Sequence, residues 1–275
     1  MVTFEGVMKA ELLRPVDLKL TRAAVQLAVL ADSMQRWAAG SQLAHKGELL
    51  DGRLGFRITI AEWEVTPPIE EWGLLVGELV HNLRTSLDNL AYALACVRQN
   101  PPARPWELAY PIFGDQADFD RRGRRGLNLL PDAAAQLIEH IQPFQREVWP
   151  WDVPEFHPLM MLQRLSNSDK HRLPKIAVVV PQEMKPRCTL EFHSDEEARA
   201  QDIEGGTTIW GGPIEPGVVL FELRTTAPIK KVDFQFEGKF AVSLEEEHRA
   251  PAPEVLGNIL SHIHEVVGLF RHHFA

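Results

Sequence analysis

The chain is poor in cysteine, in net positive charge and in long apolar runs. Its only two cysteines, Cys96 and Cys188, lie far apart. They supply neither the close spacing of a zinc site nor a disulfide framework, and they fit a reducing compartment. No apolar run approaches the ~20 residues a membrane span needs. The opening MVTFEGVMKAELL has no basic stretch followed by an apolar core, so it is not read as a secretory signal. The expected location is the cytoplasm, with no membrane partner. Lys and Arg total 29 against 38 Asp and Glu, a net charge of -9. That balance argues against a surface built to coat nucleic acid, while leaving room for a local basic groove. There is no Walker loop, no GxGxxG fingerprint, no Gly-x-Ser-x-Gly elbow and no HExxH, so no motif indicates a nucleotide, a serine nucleophile or a catalytic zinc. Repeats, low-complexity tracts and evident linkers are also missing.

What the sequence does have is one long helical stretch, residues 71–97. Val76, Val80, Leu83, Leu87, Leu90, Leu94 and Val97 alternate four and three apart, the spacing of a buried helix stripe. At about 100° per residue, His81, Arg84, Asp88 and Tyr92 make a second stripe, and Asn82, Ser86 and Asn89 a third. Few positions remain for a solvated face, so the helix is expected to be enclosed on most sides with its charges paired. Arg84 and Asp88 are four apart and can pair along the helix.

The rest arranges itself around this helix. Leu20, Ala23, Leu27, Leu30, Met34 and Trp37 predict a helix from about Pro15 to residue 39, closed by Gly40. Residues 41–52 read as a loop, and Leu54–Ile60 as a strand. A short helix follows Pro131, and another covers His157–Lys170, stopped by Pro174. From Lys175 the period shortens. Ile176–Val180, Cys188–His193, Thr207–Trp210, Val218–Leu223 and Val232–Val242 read as strands joined by short turns, which favours an antiparallel sheet. A final helix, 253–273, closes the chain. The expectation is a single α+β domain over 1–275, helix-rich in 1–174 and sheet-rich in 175–250.

Two polar segments carry candidate chemistry: His81–Asp88, and Asp169, Lys170, His171 and Arg172 at the end of a later helix. Leu162, Leu165 and Asp169 share one helix face, which turns Asp169 inward near a helix C-terminus, where a carboxylate needs a cation. Arg84 is the candidate, and Asp88 could meet Lys170, His171 or Arg172. Three readings follow. The cluster is a structural salt-bridge clasp, because buried charge must be partnered. Or it is an acid–base site, with His171 or His81 as the proton carrier, a carboxylate orienting it, and Arg84 or Lys170 stabilising an anionic transition state. Or His81, Asp88 and His171 hold a metal, a reading without the tight ligand spacing of metal motifs. No cofactor is expected. The dense cations Arg121, Arg122, Arg124 and Arg125 read as a solvated loop or as a phosphate contact. His262, His264, His272 and His273 read as surface residues.

The ordered segments Leu83–Leu90, Tyr110–Phe113, Ile141–Phe144 and Ser166–Arg172 resemble a family of uncharacterised bacterial proteins, common in actinobacteria and in mobile elements. In that family an Arg-Ser/Thr-x-Leu-Asp helix is followed by a Pro-Ile-Phe-like loop, a Gln-Pro-Phe/Tyr turn and an Asp-Lys-His-Arg segment. The resemblance covers about residues 70–175 and implies no activity. It points to Arg84, Asp88, Asp169, Lys170, His171 and Arg172. A looser resemblance is to HEPN ribonucleases, whose Arg-x4–6-His spacing is met by Arg164 and His171. It departs at Leu165, where that motif carries a polar residue, and in the sheet-rich second half. Taken together, the expected function is binding of an anionic ligand, RNA among the candidates, with metal-independent phosphodiester cleavage as its enzymatic form. The alternative is a non-catalytic interaction protein of a phage or mobile-element pathway.

Overall fold

The computed structural model describes residues 9, 11–40, 43–63, 65–145, 154–169, 177–201, 207–212, 214–244 and 250–275. The fold is α+β. The chain divides into two compact units, interleaved in sequence. One is built from Met1–Leu30, Glu70–Pro174 and Pro253–Ala275, the other from Ala31–Ile69 and Lys175–Ala252. The division after Leu30 falls inside the first long helix, so no linker composition marks it.

The first unit is helical. Helix α1 (Arg14–Gly40) begins in it and carries Val16, Leu20, Ala23 and Leu30 on its buried side. Helix α2 (Ile69–Arg98) is the long stretch anticipated from its periodicity, with 16 of its 30 residues buried. Pro67 and Pro68 precede it, Glu70 and Glu71 sit in its first turn and Arg98 in its last, each charge complementing the helix dipole. Helix α3 (Asp132–His140) follows, then α4 (Pro158–Asp169). After the strands comes α6 (Ala252–Phe270), its inner side made by Leu256, Ile259, Ile263, Val266, Val267 and Phe270, with a 3-10 turn over Arg271–Phe274. Arg271 of that turn reaches Asp17 on α1 at 2.6 Å.

The second unit holds every strand described. Strands β1 (Leu43–Leu49) and β2 (Gly55–Trp63) form a hairpin through Asp51–Arg53, where Gly52 takes φ +63 without a Cβ to object. Residues 43–49, expected as part of a loop, are therefore strand. The reason lies in tertiary pairing with β2, not in local pattern, since LAHKGEL has no clean alternation. Strand β3 (Ala177–Glu191) runs through the two separate strands expected there, carrying Pro181 and Pro186 within it. A short helix α5 (Asp195–Arg199) follows, with a reciprocal Ser194–Glu197 capping box. Strands β4 (Thr207–Ile209), β5 (Val219–Arg224) and β6 (Lys231–Ser243) complete the set. The described strands form two antiparallel sheets, β1-β2-β5-β4 and β3-β6.

Strict alternation explains β2. Phe56, Ile58 and Ile60 point to the core, while Arg57 on the opposite face pairs with its cross-strand neighbour Glu222 at 2.7 Å. Phe56, Ile58, Phe221, Leu223 and Ile229 form the core, and Leu190 of β3 with Val232 and Phe234 of β6 pack onto it. The end of the small sheet that holds Leu190, Val232 and Phe234 thus packs on the larger one.

Candidate functional site

The candidate site lies inside the helical unit, where α2 meets the loop that follows it. Arg84 sits on α2 with its side chain 18 % exposed, and Asp88 one turn later is 35 % exposed. The guanidinium Nη2 donates to Asp88 Oδ1 at 3.0 Å and to the Tyr110 carbonyl at 2.7 Å. Its Nη1 donates to Gln163 Oε1 of α4 at 3.3 Å. Asp88 Oδ1 in turn accepts the Tyr110 backbone N–H at 2.9 Å. The pair expected along the helix is present, and both of its members hold the backbone of one residue, Tyr110.

The next residues of the same loop are held in a similar way. Gln142, fully buried at the end of the α3 turn, accepts the Phe113 N–H at 3.0 Å. Its amide donates to the Pro111 carbonyl at 3.0 Å and the Ile138 carbonyl at 3.1 Å. A loop buried at Tyr110, Pro111 and Ile112 cannot give its polar backbone to water, and side chains must satisfy it instead. Arg84, Asp88 and Gln142 do so at Tyr110, Pro111 and Phe113. Tyr110 itself is fully buried. Its hydroxyl has no hydrogen-bond partner among the described residues. Burial pushes the phenol pKa well above its ordinary value, with the charge of Arg84 opposing.

The other candidate residues fall elsewhere. Lys170, His171 and Arg172 lie outside the described residues, as does the side chain of Asp169, the last residue of α4. The expected encounters of Arg84 with Asp169, and of Asp88 with Lys170, His171 or Arg172, therefore have no described counterpart. Helix α4 does reach Arg84, through Gln163. His81 is exposed and turns to Thr85, 3.4 Å away, in a groove of about 560 Å³ between α1 and α2. Asn82, on the third stripe of α2, is buried and joins the two helices. It accepts from Lys19 Nζ at 3.0 Å and donates to Gln26 Oε1 at 2.8 Å. Ser86 donates back to the Leu83 carbonyl at 2.7 Å. Among the described residues no three His, Cys, Asp or Glu side chains gather as metal ligands would, and no helix is long and apolar enough to cross a membrane.

The arginine cluster is largely neutralised by its own surroundings. Arg121 and Arg122 both pair with Asp118, Arg122 at 2.8 Å. Arg124 pairs with Asp120 at 2.9 Å and with Glu139 at 2.8 Å, and those carboxylates raise its pKa. Arg122 and Arg124 also lie over the Phe113 and Phe119 rings, each 5.4 Å from the centroid. A phosphate arriving there would have to displace carboxylates already in place.

A second buried polar pair was not anticipated. His157 immediately precedes α4, and its Nδ1 accepts the Leu159 N–H at 3.1 Å, capping the helix. Its ring stands edge-on to His262 of α6, with centroids 4.9 Å apart. Burial lowers the His157 pKa to about 3, with His262 adding to the shift. Burial also lowers that of His262, with Glu265 opposing. His262 is thus buried at 6 % exposure, correcting its reading as a surface residue; His264 and His272 are exposed. The signal was available, because His262 falls three after Ile259 and four before Val266, on the inner stripe of α6.

Comparison with family models, with curated proteins and with solved structures finds no match in any of the three.

Proposed function

We propose that the protein acts through non-catalytic interaction, and that the Arg84–Asp88 pair is a clasp on its own chain. The observation that supports this reading is the occupation of both Tyr110 backbone groups: Arg84 takes the carbonyl and Asp88 takes the N–H. An anionic ligand reaching Arg84 would have to compete with Tyr110 O, Asp88 and Gln163 together, and would leave a buried carbonyl unpaired. The motifs that carry the bacterial family resemblance then have a shared physical purpose. The Arg-x-x-x-Asp helix and the Gln-Pro-Phe turn fasten the Tyr-Pro-Ile-Phe loop from two sides. Membership of that family, and a cytoplasmic setting for two free thiols, complete the proposal.

The test is incubation of the purified protein with single-stranded RNA, comparing wild type with His171→Ala and Arg84→Ala. The clasp reading predicts no cleavage above the buffer control in any of them. Cleavage by the wild type that disappears in His171→Ala would overturn it in favour of acid–base phosphodiester chemistry.

A further inference from the structure

The outward faces of α1 and α2 in the helical unit carry features that the clasp does not use. On α1, Leu18, Arg22, Val25 and Val29 are spaced four, three and four apart, the spacing of a helix-packing seam. A seam of that kind is ordinarily buried. Here Leu18 is 60 %, Val25 50 % and Val29 49 % exposed. The inner side of the same helix already has its own buried stripe, so the outer seam is a second apolar line. On α2, Glu71, Leu74, Glu78 and His81 continue the same spacing, all exposed, with Leu74 at 57 %. The two seams flank the groove lined by Lys19, Arg22, Gln26, Gly77, Glu78 and Asn82.

The charges on these seams are complementary but unjoined. Arg22 has no ion-pair or hydrogen-bond partner among the described residues, and Lys19 has only the neutral Asn82. Glu71 has none, and Glu78 has only Gln26, at 2.6 Å. The basic, aliphatic α1 seam is therefore the counterpart of the acidic, leucine-bearing α2 seam, and both belong to one face of one unit.

We propose that this face pairs with a second copy of the chain, α1 of one copy lying over α2 of the other about a two-fold axis. A two-fold contact requires one patch to contain both halves of every complementary pair, and this patch does. Leu18, Val25 and Val29 of one copy would lie against Leu74 and the side-chain stems that line the groove of the other, and Arg22 of each copy would meet Glu78 or Glu71 of the other. A polyanion such as RNA fits less well. It would meet two glutamates and four exposed aliphatic side chains on the face where it needs cations. Because Arg84 and Asp88 take no part, this pairing can fail while the clasp reading stands, and the reverse.

The test is the mass of the intact chain in solution, by sedimentation velocity from micromolar to about 200 μM, a range that covers moderate homodimer affinities. The wild type is expected to form a dimer. Arg22→Glu and Glu78→Arg, each placing like charges opposite one another twice, are each expected to weaken it about tenfold or more. Mixing the two folded variants restores opposite charges at both contacts, so a heterodimer near wild-type affinity is expected. That rescue separates the proposal from simple misfolding, which mixing cannot repair. A wild type that stays monomeric throughout the range overturns the proposal. So does a dimer indifferent to both reversals. A labelled single-stranded RNA that binds the monomer and is released by Arg22→Glu would overturn it in favour of an anion groove.

Discussion

Removing the clasp one side chain at a time should cost more than a surface ion pair can account for. An exposed i, i+4 pair contributes about 0.3–0.5 kcal/mol. Arg84 does more, because its guanidinium also serves the carbonyl of a fully buried residue. Arg84→Ala leaves that carbonyl without its donor, a loss of about 1–3 kcal/mol, and the expected total is about 2–4 kcal/mol. Asp88→Ala strands the Tyr110 N–H in the same way and is expected to cost about 2–3 kcal/mol. Asp88→Asn keeps an acceptor oxygen and should lose only about 1 kcal/mol. Since both side chains hold one backbone unit, the double variant should cost less than the sum, with a coupling of about 1–2 kcal/mol. Urea unfolding followed by far-ultraviolet circular dichroism measures all four, the ellipticity being dominated by the helical unit. If both alanine variants stay within about 0.5 kcal/mol of wild type, the surface-pair figure suffices and the reasoning is refuted.

Three further outcomes follow from the same geometry. Gln142→Ala strands the Phe113 N–H and the Pro111 carbonyl in the core and should cost about 3 kcal/mol in urea unfolding. Tyr110→Phe removes a buried hydroxyl with no partner among the described residues, so its unfolding free energy should be equal to or above wild type by about 1 kcal/mol. His157 has a folded pKa below its unfolded value of about 6.5, so between about 6.5 and 3 the unfolded chain binds the extra proton. Stability should be full above pH 6.5 and fall by about 1.4 kcal/mol per pH unit below it, a slope that His157→Asn, which retains a capping acceptor, removes.

The helices were legible because their periodicity is local. Val76 to Leu94 alternate so regularly that α2 could be placed within two residues at each end, and α6 within three. Strand β1 was not legible. Its residues alternate poorly and become strand only through partners on β2, information that no window of sequence contains. The i, i+4 spacing of Arg84 and Asp88 revealed the pair but not its cargo, because the Tyr110 backbone lies 22 residues beyond Asp88 and a peptide group leaves no trace in residue type. Gln142 was visible only as part of a motif. A glutamine beside Ile141 and ahead of proline shows neither burial nor its three bonds. The interleaving of the two units leaves no local signal for a related reason. The hairpin at 43–63 belongs with strands more than a hundred residues later, and α1 passes from one unit to the other without a break in pattern.

The most direct test of the clasp is hydrogen exchange at the Tyr110 amide, read by NMR in wild type and Asp88→Ala. That N–H donates to Asp88 Oδ1 alone among the described partners, so the variant should lose most of its protection there while amides in the middle of α2 stay protected. Equal protection of Tyr110 in both proteins would contradict the account.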